Sequence, residues 1–268
     1  MNKAQMLKGK HALIFGAGGS FGSVVAREFA AEGADVFLSG RSRSSVEAVA
    51  NQIAAESGTA HVAVIDAEDP DAVDAYIGSI AKEAGSIDVV FNLIGPRLTE
   101  YGGGKPATQL SVEEFMAPLV TLVKSQFITS RAAARYMLDQ RSGVILFVTG
   151  SPARPHTPGA TAIGAAFGAI ENFTRNLAQD VSPCGVRVVC VRTAATPETR
   201  TIQELQASMT AAMNIPPEQV FKTLADMTLL KLSPTIADLA KTAAFAASDN
   251  ARMMTGTVLN SSAGAVLD

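Results

Sequence analysis

Three groups of residues in this chain have types and spacings suited to binding or chemistry. The first is LIFGAGGSFGSVV, where Gly16, Gly18, Gly19 and Gly22 stand between a β-branched run and an amphipathic one. Gly16 permits a tight turn, Gly18 and Gly19 let backbone N–H groups approach a pyrophosphate, and Gly22 lets a helix pack close to a sheet. A helix opening at Ser20 and Phe21 offers phosphates its unpaired N–H groups and the positive end of its dipole. The second group is FLSGRSRSS, with Gly40, Arg41, Ser42 and Arg43 and no carboxylate. A site for NAD(H) wants an acidic residue there for the ribose 2′-hydroxyl, whereas arginine pairs with a 2′-phosphate. The pattern therefore favours NADP(H) over NAD(H). The bland alternatives are a turn rich in glycine only for packing, and two solvated arginines before a helix.

The third group lies in GPRLTEYGGG and TGSPARPHTPG, which contain Arg97, Tyr101, Ser151, Arg154 and His156. An imidazole ordinarily titrates near neutral pH, so His156 is able to move a proton, unless it is simply a loop histidine in water. Ser151 without an adjacent base is a weak nucleophile, better suited to bonding a substrate oxygen. Arg97 and Arg154 suit an anionic substrate, and Tyr101 in a glycine-rich loop is a possible acid. His11 and His61 stand at strand starts and have structural roles. Cys184 and Cys190 lack metal-ligand spacing and are expected to be reduced thiols, so no metal is expected.

These residues need elements to hold them. Strands are expected at 11–16, 35–40, 61–66, 87–95, 143–150, 186–192 and 256–262, mostly as near-continuous apolar runs of the kind buried on both faces. Between them lie helical patterns. Phe21, Val24, Val25 and Phe29 recur at helical spacing before Gly33, and 113–140 forms a long helix interrupted near Pro118. Repeated βα units imply one α/β domain: a Rossmann-type, doubly wound, parallel seven-stranded sheet with helices on both faces. Residues 194–233 break the rhythm after the sixth strand and overhang the carboxyl ends of the strands, where ligands bind, so they are expected to form a substrate lid. The 268 residues carry a net charge of −3 with 47% apolar content. No basic run points to nucleic acid, and no apolar stretch reaches membrane-spanning length, so a soluble cytoplasmic protein acting on a small molecule is expected.

In its motifs the chain resembles the short-chain dehydrogenase/reductase family over essentially its whole length. FGAGGSFG corresponds to the family's TGxxxGxG, with Phe15 for Thr and Ser20 for the middle Gly; Ser20 is expected to cap the helix and donate to a phosphate. Asp66-Ala67 matches the adenine-contacting Asp, NLIG (92–95) matches NNAG, and the tail from Leu230 resembles the family's ending. The resemblance implies cofactor contacts from Gly16, Gly18, Gly19, Ser20, Phe21, Gly22, Arg41, Ser42, Asp66, Ala67, Asn92, Ile94, Gly95, Thr193 and Thr196. It also implies a homodimer or homotetramer, for which the small residues Gly164, Ala165, Gly168 and Ala169 would allow close helix approach.

One departure dominates. The family carries YxxxK on the helix after the fifth strand, where Lys binds the nicotinamide ribose and lowers the Tyr pKa so that Tyr exchanges a proton with substrate. Alignment on FTRNLAQDVSPCGVRVVCV puts Ile163 at the Tyr position and Phe167 at the Lys position, and residues 142–221 contain neither Lys nor Tyr. The family's Ser falls on Gly150, beside Ser151, its helix Asn falls near Thr121 or Leu122, and its PG reads Thr193-Ala194. Ile163 thus enters the substrate pocket with Arg97, Tyr101 and Arg154, and Ser151 and His156 are the catalytic candidates. The expected activity is NADP(H)-dependent reduction of a small carbonyl or activated C=C by an atypical site. The alternatives are a non-catalytic NADP(H)-binding protein, and a chain whose turn no longer admits the cofactor.

Overall fold

A computed structural model describes residues 5–154 and 157–267. Seven parallel strands form one sheet: β1 (His11–Phe15), β2 (Asp35–Gly40), β3 (Thr59–Val64), β4 (Val89–Asn92), β5 (Gly143–Gly150), β6 (Val186–Thr193) and β7 (Thr257–Ser261). Their order is β3-β2-β1-β4-β5-β6-β7. The order reverses between β1 and β4, which opens a crevice at the carboxyl ends of the strands.

Helices α1 (Ser20–Ala31), α2 (Arg43–Ala55) and, near the C-terminus, α9 (Ile236–Ala247) cover one face, packing Val25, Phe29, Ile53 and Leu239 against Ile14, Leu38 and Phe91. The other face carries α3 (Pro70–Ala84), α4 (Val112–Pro118), α5 (Ser125–Gln140) and α6 (Thr161–Val181), whose Ile77, Met137 and Ile170 pack against Leu13, Val90, Ile145 and Val188. The expected doubly wound fold is the observed one. Its strand bounds differ by more than one residue at two strands. β3 starts and stops two residues early and is half exposed, because it is the edge of the sheet. β4 is only four residues long. There the Asn92 carboxamide oxygen accepts from the Ile94 N–H at 3.0 Å and turns the chain out of the sheet.

The long helix is interrupted as its proline requires. Pro118 has no N–H for the ladder, and the chain widens into a π-helical segment over Leu119–Lys124 before α5. The Ser125 hydroxyl donates back to the carbonyl of Leu122 at 3.2 Å. Residues 194–233 fold as two helices, α7 (Arg200–Met213) and α8 (Pro217–Asp226). Among the described residues, no helix is long and apolar enough to cross a membrane. Nor does any group of three or more His, Cys, Asp or Glu side chains suit a metal.

Candidate functional site

The glycine-rich turn joins β1 to α1 at the crevice. Gly16 has φ +75°, a region glycine enters freely, and a Cβ there would lie 3.0 Å from Ile94 Cγ1. A Cβ on Gly22 would lie 2.1 Å from the Gly16 carbonyl, so Gly22 is what lets α1 start so close to the turn. A Cβ on Gly18 would strike Ser45 Cβ at 2.7 Å, so the missing side chain also lets the turn pack against α2.

Ser20 is not the cap of α1, which corrects the expectation. Gly19 holds the N-cap position and has no side chain to cap with, and Ser20 is the first helical residue. Among the described residues the first-turn N–H groups of α1 thus have no side-chain acceptor, the condition in which a helix N-terminus takes an anion. The Ser20 hydroxyl instead accepts from the Arg200 N–H of α7 at 3.4 Å. Across the crevice, a Cβ on Gly95 would meet nothing within 4 Å, so the backbone there is open to a ligand.

At the end of β2, Ser42 caps α2, and Arg43 pairs with Glu47 one turn along at 3.2 Å. Arg41 is exposed and makes no hydrogen bond or ion pair among the described residues, so its guanidinium is available to an anion. Asp66 accepts from the Glu68 N–H at 3.0 Å in a turn that buries Ala67. Asn92 is buried, and its amide donates to the hydroxyls of Ser125 and Thr129 at 3.2 Å each. With Ile94 on its oxygen, this side chain is committed to joining β4 and α5. Thr193 and Thr196 are buried, with the Thr196 hydroxyl donating to the Ala194 carbonyl at 3.1 Å.

Ile163 and Phe167 sit one turn apart on α6 and pack into the same core cluster. A Cβ on Gly150 would lie 2.9 Å from Phe167 Cε2, closer than real Cβ contacts come. The Phe167 ring therefore occupies the room that any side chain at 150 would need. Ser151 opens a 3-10 turn, Ser151–Ala153, that lies along α6. The Pro152 carbonyl would be 2.9 Å from a Cβ on Gly164. Gly164 thus makes room for the Pro152 carbonyl of its own chain. His156 lies outside the described residues.

Beneath Phe167 is a buried charge cluster that the sequence reading missed. Glu171 accepts from Arg192 Nε at 2.7 Å and Nη2 at 2.9 Å, and from the Thr149 hydroxyl at 3.2 Å. Arg154 approaches it at 3.8 Å from the loop after β5. Both members of the central pair are almost fully buried. One carboxylate thus joins α6, β5, β6 and the loop that carries Ser151. The available signal was an arginine inside the apolar run VRVVCVRT, since a charge on a doubly covered strand must find a partner. Cys190 lies in the same layer, and burial pushes its thiol up to about 12.

Over the mouth of the crevice, α7 is fastened to the loop after β4. Glu204 accepts from the Leu98 N–H at 3.1 Å and from Arg200 Nε at 3.1 Å, with Arg97 Nε at 4.0 Å. Tyr101 is buried beside it rather than free in a loop. Burial, and secondarily the Glu204 charge, push its hydroxyl up to about 12, so it holds its proton at neutral pH. His11 bonds Ser86 at 2.8 Å and His61 pairs with Asp35 at 2.9 Å, both away from the crevice as expected.

A family model described as short chain dehydrogenase matches residues 10–210. Gluconate 5-dehydrogenase of Gluconobacter oxydans (strain 621H) is 29% identical over 182 residues, which cover 68% of this chain and 69% of that protein. The crystal structure of an NAD+-bound xylitol dehydrogenase has a TM-score of 0.87 at 23% identity, covering 96% of this chain and 99% of that one. A substituted actinorhodin polyketide ketoreductase with NADPH has a TM-score of 0.87 at 19% identity, covering 96% and 97% of the two chains. These two structural likenesses concern the fold.

Proposed function

The chain belongs to the short-chain dehydrogenase family, and on that premise we propose that it is an NADP(H)-dependent oxidoreductase with an atypical proton-transfer site, acting on a small carbonyl or activated C=C. The observation that carries the cofactor half is the crevice itself: a glycine turn, an α1 N-terminus without a side-chain cap, and open space over Gly95. Gly16, Gly18, Gly19, Ser20, Phe21 and Gly22 would hold the pyrophosphate. Asp66 and Ala67 would border the adenine, and Ile94, Gly95, Thr193 and Thr196 the nicotinamide end. Arg41, which has no protein partner among the described residues, with Ser42 beside it, supports a 2′-phosphate and hence NADP(H).

When bound, the nicotinamide supplies a hydride to the substrate carbon. The substrate oxygen or carbanion must then gain one proton from elsewhere. Neither Ile163 nor Phe167 carries one. The contact between Gly150 and Phe167 supports treating these positions as a coordinated replacement of the family's Ser, Tyr and Lys: an aromatic ring at 167 leaves no room for a side chain at 150. In this reading the proton comes from water or from a polar residue of the loop after β5, Ser151 or His156. Loss of a general acid costs about 10²–10⁴-fold in rate, so turnover is slow with unactivated ketones.

The same reading takes 194–233 as a lid in a cytoplasmic enzyme. The half-exposed apolar side chains of Met116, Val120 and Phe127 on the α4–α5 face support self-association as a dimer or tetramer. The test is titration with NADPH and NADH, followed by NADPH oxidation with a panel of carbonyls and enones. Tight NADPH binding with turnover of an activated substrate is the expected outcome. Tight binding with none across the panel would end the oxidoreductase reading.

A further inference from the structure

We propose that Arg200, on the first turn of α7, is a further cofactor-binding residue that grips the pyrophosphate of the dinucleotide and so ties the lid to the bound ligand; the proposal rests on the cofactor reading above. Three observations bring it there. The Arg200 backbone N–H donates to the Ser20 hydroxyl at 3.4 Å, which places the start of α7 directly over the glycine-rich turn. The Arg200 side chain is 63% exposed, and among the described residues its guanidinium is held only at Nε, by Glu204 at 3.1 Å, so its terminal nitrogens remain available. Glu204 itself does not depend on Arg200 for its position, because it also accepts from the Leu98 N–H at 3.1 Å and faces Arg97. Arg200 is therefore able to turn from Glu204 to a phosphate while α7 stays fastened to the loop after β4. A guanidinium meets two phosphate oxygens at once, which suits a pyrophosphate lying across the turn.

Arg41 and Arg200 then divide the ligand between them, one taking the 2′-phosphate and the other the pyrophosphate. Isothermal calorimetry on the wild-type chain, Arg200→Gln, Arg200→Lys and Arg41→Gln, with NADPH and with adenosine 2′-monophosphate as probes, separates the two. Arg200→Gln is expected to weaken NADPH about tenfold, the loss of roughly one charge-assisted hydrogen bond, and to leave adenosine 2′-monophosphate unchanged. Arg200→Lys should keep part of the affinity, and Arg41→Gln should weaken both probes. Wild-type affinity for NADPH in Arg200→Gln overturns the proposal while the cofactor reading stands, as does an equal loss for both probes. Absence of NADPH binding in the wild-type chain overturns the cofactor reading itself, and the proposal with it.

Discussion

Gly150→Ala tests whether Phe167 has taken the space of the family's active-site side chains. The Gly150 backbone, at φ −118° and ψ 169°, is one that alanine adopts without strain. The new methyl would lie 2.9 Å from Phe167 Cε2, 3.4 Å from Pro152 Cδ and 3.5 Å from Phe167 Cδ2. Carbon pairs are comfortable at about 3.5–4.0 Å, so the ring must give way by about 0.6 Å or more. Overpacking of this kind costs about 1–3 kcal/mol. Replacing glycine where alanine fits returns about 0.4–1 kcal/mol by restricting the unfolded chain. The net expectation is a loss of about 1 kcal/mol, or about 2–4 °C in Tm for a chain of this size. In a Phe167→Ala background the obstacle is gone and only the favourable part remains, so the same substitution should stabilise. Urea unfolding of the four chains of this double-mutant cycle measures the coupling, expected at about 1–3 kcal/mol. An equal effect of Gly150→Ala in both backgrounds would refute the claim that the two positions compete for one space.

Glu171→Gln leaves Arg192 buried without its counter-charge and should cost about 3–5 kcal/mol in urea unfolding, while Glu171→Met with Arg192→Leu recovers most of it. Tyr101, raised to about 12 from 10, stabilises the fold fully below pH 10 and loses that contribution as pH rises toward 12, because the unfolded chain releases its proton first. Tyr76 and Cys190 are raised in the same direction, so alkaline unfolding should steepen from about pH 9, and Tyr101→Phe should flatten part of it. Glu204→Ala removes the acceptor that fastens α7 to Leu98, and limited proteolysis within 194–233 should quicken several-fold without a matching fall in global stability.

The sheet was legible because its central strands are covered on both faces and read as unbroken apolar runs. β3 was misplaced because an edge strand is half solvated and its pattern has no sharp ends. β4 was overextended because VVFNLIG stays apolar beyond Asn92, and only a side-chain bond to the Ile94 N–H shows where the strand stops. The glycine turn was legible in position but not in detail. That Gly18 also makes room for Ser45 depends on how α2 packs, and no local pattern encodes that. The same holds for Gly164, whose missing side chain makes room for Pro152. Glu171 and Arg192 lie 21 residues apart in sequence. Each looked ordinary alone, and only the fold brings their charges together.

The most direct measurement is the affinity of the chain for NADPH set beside that for NADH under one salt condition. The crevice and Arg41, which has no partner among the described residues, predict that both bind and that NADPH binds about 10–100-fold more tightly, the worth of one charge-assisted phosphate contact. Equal affinities would contradict the role of Arg41, and no binding of either would contradict the dinucleotide site altogether.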